Sequence, residues 1–78
     1  MTFVNALKEL TLGKMIYNKH LPNVCFQYLP DAEIIFKFIR NKNSTRTWYL
    51  SEDDSLSFQD ILDDNWEILN IENQKFIK

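Results

Sequence analysis

The chain has 78 residues, 45% of them hydrophobic and 14% aromatic, and a net charge of -2. That length makes one domain, residues 1–78, with a small core; one cysteine, Cys25, excludes an internal disulfide framework. The slight negative charge argues against a general nucleic-acid binder.

The first element expected is a helix. Thr2 is a good N-cap, and Phe3, Ala6, Leu7 and Leu10 fall on one helical face. Gly13 stands where a helix ending near Leu12 needs a left-handed residue. A short strand follows over 14–17, then a loop over 18–23 carrying Pro22 and two asparagines. Residues 24–29 are rich in β-formers and read as a second strand. Pro30-Asp31 opens a turn into the strongest strand, 33–40, with Ile34, Phe36 and Phe38 on one face. Its other face holds Glu33, Ile35, Lys37 and Ile39, a pattern expected to be partly covered.

A polar hairpin loop is expected over 41–45, then a strand over 46–50 with Trp48 and Leu50 on one face and Tyr49 on the other. Residues 51–55 form an acidic loop. Ser57 caps a second short helix, with Asp60 placed for a capping box and Leu56 and Ile61 for a hydrophobic staple. That helix is expected to end at Asn65. A final strand runs over 66–71, and the 74–78 segment, with Phe76 and Ile77, adds an edge strand or docks on a neighbour. This order describes an α+β domain: a small antiparallel sheet with an N-terminal helix and a second short helix before the last main strand.

Enzyme chemistry has little support. The only histidine, His20, lies in a Pro-containing loop, and no Ser-His-Asp set has a recognisable local context. A single glycine rules out glycine-rich phosphate loops. No cofactor or metal is expected: the Asp53-Asp54 and Asp63-Asp64 pairs read as solvated acids. No apolar run approaches the length of a membrane span, and no leader of the right form opens the sequence.

A binding vocabulary is present instead. Tyr17, Phe26 and Trp48 can stack on a base, Asn18 and Ser57 can read polar edges, and Lys14 and Arg46 can meet phosphate. Taken singly, each aromatic is more often core than ligand contact. From Ser51 to Gln74 the acids Glu52, Asp53, Asp54, Asp60, Asp63, Asp64, Glu67 and Glu72 stand without one Lys or Arg. That stretch reads as a solvated acidic face, or as a surface that attracts a basic partner.

The opening Thr2-Phe3, Ala6-Leu7, Leu10 and Gly13-Lys14, with the closing Asp60-Ile61-Leu62, Asp64 and Trp66-Glu67-Ile68, resembles the Thoeris anti-defence two family of small phage proteins. The resemblance covers both ends of the domain and not its middle. It implies a non-enzymatic sponge in the host cytoplasm. Such a protein binds a bacterial immune signalling nucleotide, a cyclic ADP-ribose isomer or a cyclic dinucleotide, and sequesters it uncleaved. It also implies a homo-oligomer, dimer or tetramer, with ligand pockets at subunit contacts. Phe3, Lys14, Ser57, Asp60, Asp64 and Trp66 carry over directly, most of them as architecture. Leu21-Pro22-Asn23 stands where the family has a Trp-Asn-Gly turn, and the Trp before the second helix is missing; both differences point to a changed ligand or a lost one. The rival reading is an acidic interaction protein that blocks a basic site on a host protein.

Overall fold

Thr2 starts the first helix as its composition requires: its Oγ1 accepts the Asn5 N–H at 3.2 Å, and α1 spans Phe3–Thr11. A computed structural model describes residues 1–40, 46–53 and 55–78; the loop expected over 41–45 lies outside the described residues. At the other end of α1, Gly13 takes φ 93°. Its N–H donates to Leu10 O at 3.1 Å and that of Lys14 to Glu9 O at 3.3 Å, the bond pair of a Schellman motif. An added Cβ at Gly13 would meet nothing within 4 Å, so backbone conformation alone calls for glycine there.

Six strands follow among the described residues: β1 (Met15–Asn18), β2 (Val24–Leu29), β3 (Ile34–Arg40), β4 (Thr47–Leu50), β5 (Trp66–Leu69) and β6 (Lys75–Ile77). The second helix, α2 (Phe58–Leu62), lies between β4 and β5. The sheet order is β5-β1-β2-β3-β4-β6, antiparallel throughout except where β6 lies parallel to β4. The domain is α+β, with the N-terminal helix and short second helix that the sequence predicts.

Strand alternation splits the apolar residues into two cores. On the helix side, Ile16 sits opposite Phe26 on β2 and Ile68 on β5. Ala6 and Leu10 of α1 bury against Ile16, Phe26 and Trp66, and Phe3, Leu7, Val24, Tyr28 and Leu56 pack around them. The Trp66 ring lies 5.1 Å from that of Phe3 and 5.9 Å from that of Phe26, within the range of favourable aromatic pairs.

The opposite face has a core of its own: Met15, Cys25, Phe38 and Trp48, flanked by Tyr17, Phe36, Leu69 and Phe76. No described helix contributes to it. The sheet covers this face by coiling on itself. Residues 70–74 join β5 to β6, the two edge strands. Such a link reaches at most about 22 Å, while the edges of a flat six-stranded sheet stand about 24 Å apart. The link must also run back along a strand length, because the ladder directions make β5 and β6 point the same way. Phe76 is the ladder partner of Trp48 on the neighbouring strand; it stacks on that ring at 6.2 Å and meets Phe38 edge-on at 5.3 Å. The Trp48 indole N–H donates to Gln74 Oε1 at 2.7 Å.

Several boundaries differ from the sequence reading. β1 begins at Met15 and ends at Asn18, one residue later than expected, because the Schellman turn takes the Lys14 N–H and Asn18 pairs with Trp66 on β5. Asn18 thus belongs to the sheet, not to a loop. α2 stops at Leu62 rather than Asn65: Asp63 is extended, and its Oδ1 accepts the Asn65 N–H at 2.8 Å. β5 ends at Leu69, where Asn70 Oδ1 turns the chain by accepting the Glu72 N–H at 3.0 Å. The second face of β3 is partly covered, as expected: Lys37 is half-buried under the Ser55 segment and Ile35 borders α1, while Ile35 and Ile39 keep much of their surface exposed. Leu56 packs into the helix-side core, while Ile61 remains exposed.

Candidate functional site

Because α1 covers only one half of its sheet face, a cavity of about 420 Å³ opens at the margin of that cover. Phe3, Leu7 and Leu10 of α1 form one wall, and Ile16 and Phe26 form the floor. Glu33 at the end of the β2–β3 loop and Ile34 and Ile35 at the start of β3 add to the lining, and Leu56 closes the side toward α2. The volume lies in the range of small-molecule sites, and the lining is flat and apolar with one carboxylate.

Glu33 holds this rim in a left-handed backbone, φ 53°. It closes the four-residue β2–β3 loop, where its N–H donates to Pro30 O at 3.3 Å. Such loops, built on a type I turn, often end in a left-handed residue. Glutamate is a costly choice there, since its Cβ crowds the backbone where glycine would not.

A second, smaller cavity of about 40 Å³ lies beside the first and shares Phe26 and Leu56 with it. Its wall is polar as well as apolar, with Asn18, Lys37, Ser55 and Asp60 beside Val24 and Trp66. Asn18 is 2% exposed. Its Oδ1 accepts the His20 N–H at 2.9 Å, which fixes the orientation of the amide. Its Nδ2 has no acceptor at bonding geometry, although Asp63 lies near enough to gain some stabilisation from it. Lys37 reaches across from β3 and donates to Ser55 O at 3.2 Å, while Ser51 N–H donates to Lys37 O at 2.8 Å. Both bonds hold the acidic segment against the sheet.

The acids are organised by local hydrogen bonds, and no cluster of three or more ligating side chains occurs among the described residues. Asp53 accepts from Ser55 N–H at 2.9 Å, and the Ser55 hydrogen bonds hold its carboxyl below its ordinary value. For Asp63, burial is the largest single influence and opposes ionisation. Hydrogen bonds from Asn65, with smaller help from His20 and Asn18, outweigh it and lower the pKa. Lys19 and Glu67 pair at 3.0 Å, and that hydrogen bond lowers Glu67 and raises Lys19. Burial pushes the Cys25 thiol up to about 12, with Arg40 opposing it.

The seven ligand-contact residues expected from sequence do not converge. Phe26 borders both cavities and Asn18 borders the smaller one. Tyr17 and Trp48 lie on the opposite face, and Trp48 is fully buried, so its ring offers no surface for a base to stack on. Lys14 is exposed beyond α1 and pairs with Glu9 at 2.9 Å. Arg46 is exposed ahead of β4, where its carbonyl accepts the Lys75 N–H at 2.7 Å, with β2 and β3 between it and β1. Ser57 is occupied as the cap of α2, its Oγ accepting the Asp60 N–H at 3.1 Å. Apart from Phe26 and Asn18, no lining residue was among the expected ligand contacts, Glu33, Lys37 and Leu56 included. Lys37 carried a signal, as a cation within an apolar strand; Leu56 was read only as half of a hydrophobic staple, and Glu33 carried none.

Comparison with protein-family models, curated proteins and solved structures returned no match for this chain.

Proposed function

We propose that this protein binds and sequesters a signalling nucleotide of bacterial immunity without cleaving it, as a phage anti-defence protein acting in the host cytoplasm. The resemblance of its two ends to the Thoeris anti-defence two family supplies the ligand class, a cyclic ADP-ribose isomer or cyclic dinucleotide. The observation that carries the reading is the 420 Å³ chamber between α1 and the sheet, walled by Phe3 and Phe26. A base ring fits such walls, and aromatic contact is worth about 1–3 kcal/mol per base. Glu33 is the one titratable side chain in that lining among the described residues, a setting suited to holding a ligand rather than to acid–base exchange.

The same reading has copies of the chain assembled as a dimer or tetramer. Ile39, Tyr49 and Ile77 are direct cross-strand neighbours on β3, β4 and β6. All three are exposed, Tyr49 at 47%. A contiguous apolar row of this kind is the surface that supports self-association.

Titration with cyclic ADP-ribose isomers and cyclic dinucleotides tests the proposal, with mass spectrometry of the ligand released on heating. Binding of one class, with the ligand recovered intact, is expected. Failure of every member to bind, or recovery of a cleaved product, overturns it.

One observation favours the rival reading. Phe58 and Leu62, one helical turn apart on α2, are 72% and 66% exposed beside Asp63 and Asp64. Apolar anchors ringed by acids suit a basic protein surface. Salt-sensitive capture of a host protein, lost in Phe58→Ala and independent of nucleotide, is the outcome that would favour it.

A further inference from the structure

We infer that the large chamber selects a positively charged ring and that Glu33 does the selecting: a cationic nitrogen heterocycle lies against Phe3 and Phe26 with its charge at the Glu33 rim. The inference deepens the nucleotide-binding proposal and rests on it.

Three observations carry it. Every lining side chain except that of Glu33 is aliphatic or aromatic hydrocarbon, so the side-chain charge that the chamber presents is negative. The Glu33 carboxylate is exposed and uncommitted. Among the described residues the ion pairs engage Glu9, Glu67 and Asp63 instead, and no hydrogen bond reaches the Glu33 side chain. Finally, Glu33 stands in a left-handed backbone, φ 53°, that glycine would occupy at lower cost. The turn therefore does not account for a glutamate at this position, and strain kept at the rim of a cavity points to a role in binding.

Charge decides what fits. A phosphate accepts only and would meet a carboxylate with no cation in the lining. Lys14 is paired with Glu9, and Lys37 is held on Ser55 O in the neighbouring cavity. Asp31, exposed in the same loop as Glu33, adds a second negative charge near this rim. A neutral ring gains apolar contact alone. A cationic ring gains the attraction of the carboxylate and of the aromatic walls as well. Among the proposed ligands, a base substituted on a ring nitrogen carries such a charge, and a base joined only through its sugar does not. Cyclic ADP-ribose isomers closed through adenine N1 are thus preferred over isomers closed through a ribose oxygen, and the phosphates stay outside.

NMR titration of the full chain with 1-methyladenosine and N6-methyladenosine tests it. These isomers carry the same added methyl group, but the first is a cation at neutral pH and the second is uncharged. 1-Methyladenosine should bind about fivefold more tightly, the gain expected of a partly exposed charge contact with aromatic walls. Glu33→Gln should bring the ratio to near one. Glu33→Gly, which suits the backbone at that position, is the second variant and should do the same. Equal binding of the two isomers to the unchanged chain overturns the inference, as does a preference that survives in either folded variant. Adenosine 5′-monophosphate bound far more tightly than adenosine also overturns it. If cyclic ADP-ribose isomers or cyclic dinucleotides bind while neither methylated nucleoside does, only this inference fails; if none binds, both readings fail.

Discussion

The indole N–H of Trp66 donates to the backbone carbonyl of Asp60 at 2.8 Å. One bond thus ties the first residue of β5 to the middle of α2, over a ring that is itself part of the helix-side core. Trp66→Phe keeps an aromatic ring beside Phe3 and Phe26 but leaves the carbonyl without that donor. A loss of about 1–3 kcal/mol is expected in urea denaturation, and an unchanged midpoint would show that the bond contributes nothing.

Gly13 and Glu33 form a matched pair of backbone tests. Both occupy left-handed conformations, at φ 93° and 53°. Gly13→Ala meets no steric neighbour, yet forces an L-residue into a disfavoured region; about 1–2 kcal/mol of destabilisation is expected. Glu33→Gly removes a strain of the same kind and should raise stability by up to about 1 kcal/mol. Thermal melts of the two variants should move in opposite directions.

Most of the fold was legible because its signals are local. Thr2, Gly13 and Ser57 mark helix ends through single hydrogen bonds or a single dihedral angle, β-forming residues mark β2, and period-two alternation marks β3. The coil of the sheet was not legible. It depends on the 70–74 link, which ties together the two edge strands β5 and β6. The candidate site was less legible still. Phe26 and Asn18 were singled out for their chemistry, but the chamber exists because α1 covers only part of the sheet, and no residue type announces that. Trp48 shows the opposite failure, a ring suited to stacking that the curled face encloses completely.

Acid should weaken the fold. Asp53, Asp63 and Glu67 have folded pKa values below their ordinary ones. The unfolded chain therefore takes up protons first as pH falls. The stability these groups add is complete above the unfolded values and is lost as pH drops through the folded ones. Melting temperature should decline below about pH 4, and Asp63→Asn should flatten that decline. Lys19 has the reverse sign: its pKa is raised, so its contribution holds below 10.5 and fades as pH climbs through the folded value. The exposed Lys19–Glu67 pair should also weaken with added salt.

Cys25 should be chemically silent in the folded protein. Its thiol is buried and raised to about 12, so the nucleophilic thiolate is scarce at neutral pH. A disulfide-exchange reagent at pH 8 should label it only after denaturant is added; rapid labelling of the native protein would contradict its placement in the core.

If the proposed homo-oligomer forms through this face, Tyr49→Asp should dissociate it without unfolding the chain. The substitution puts a charge between Ile39 and Ile77 on the outer face of the sheet. Sedimentation velocity should show a shift to monomer, while the far-ultraviolet spectrum stays the same. An unshifted sedimentation coefficient would remove this face from the assembly.

The two tryptophans occupy different sides of the sheet, Trp66 under α1 and Trp48 inside the coil. Each layer therefore carries its own fluorophore. With Trp48→Phe and Trp66→Phe, stopped-flow refolding can time the docking of the helix separately from the closure of the coil, and show which half of this small domain is organised first.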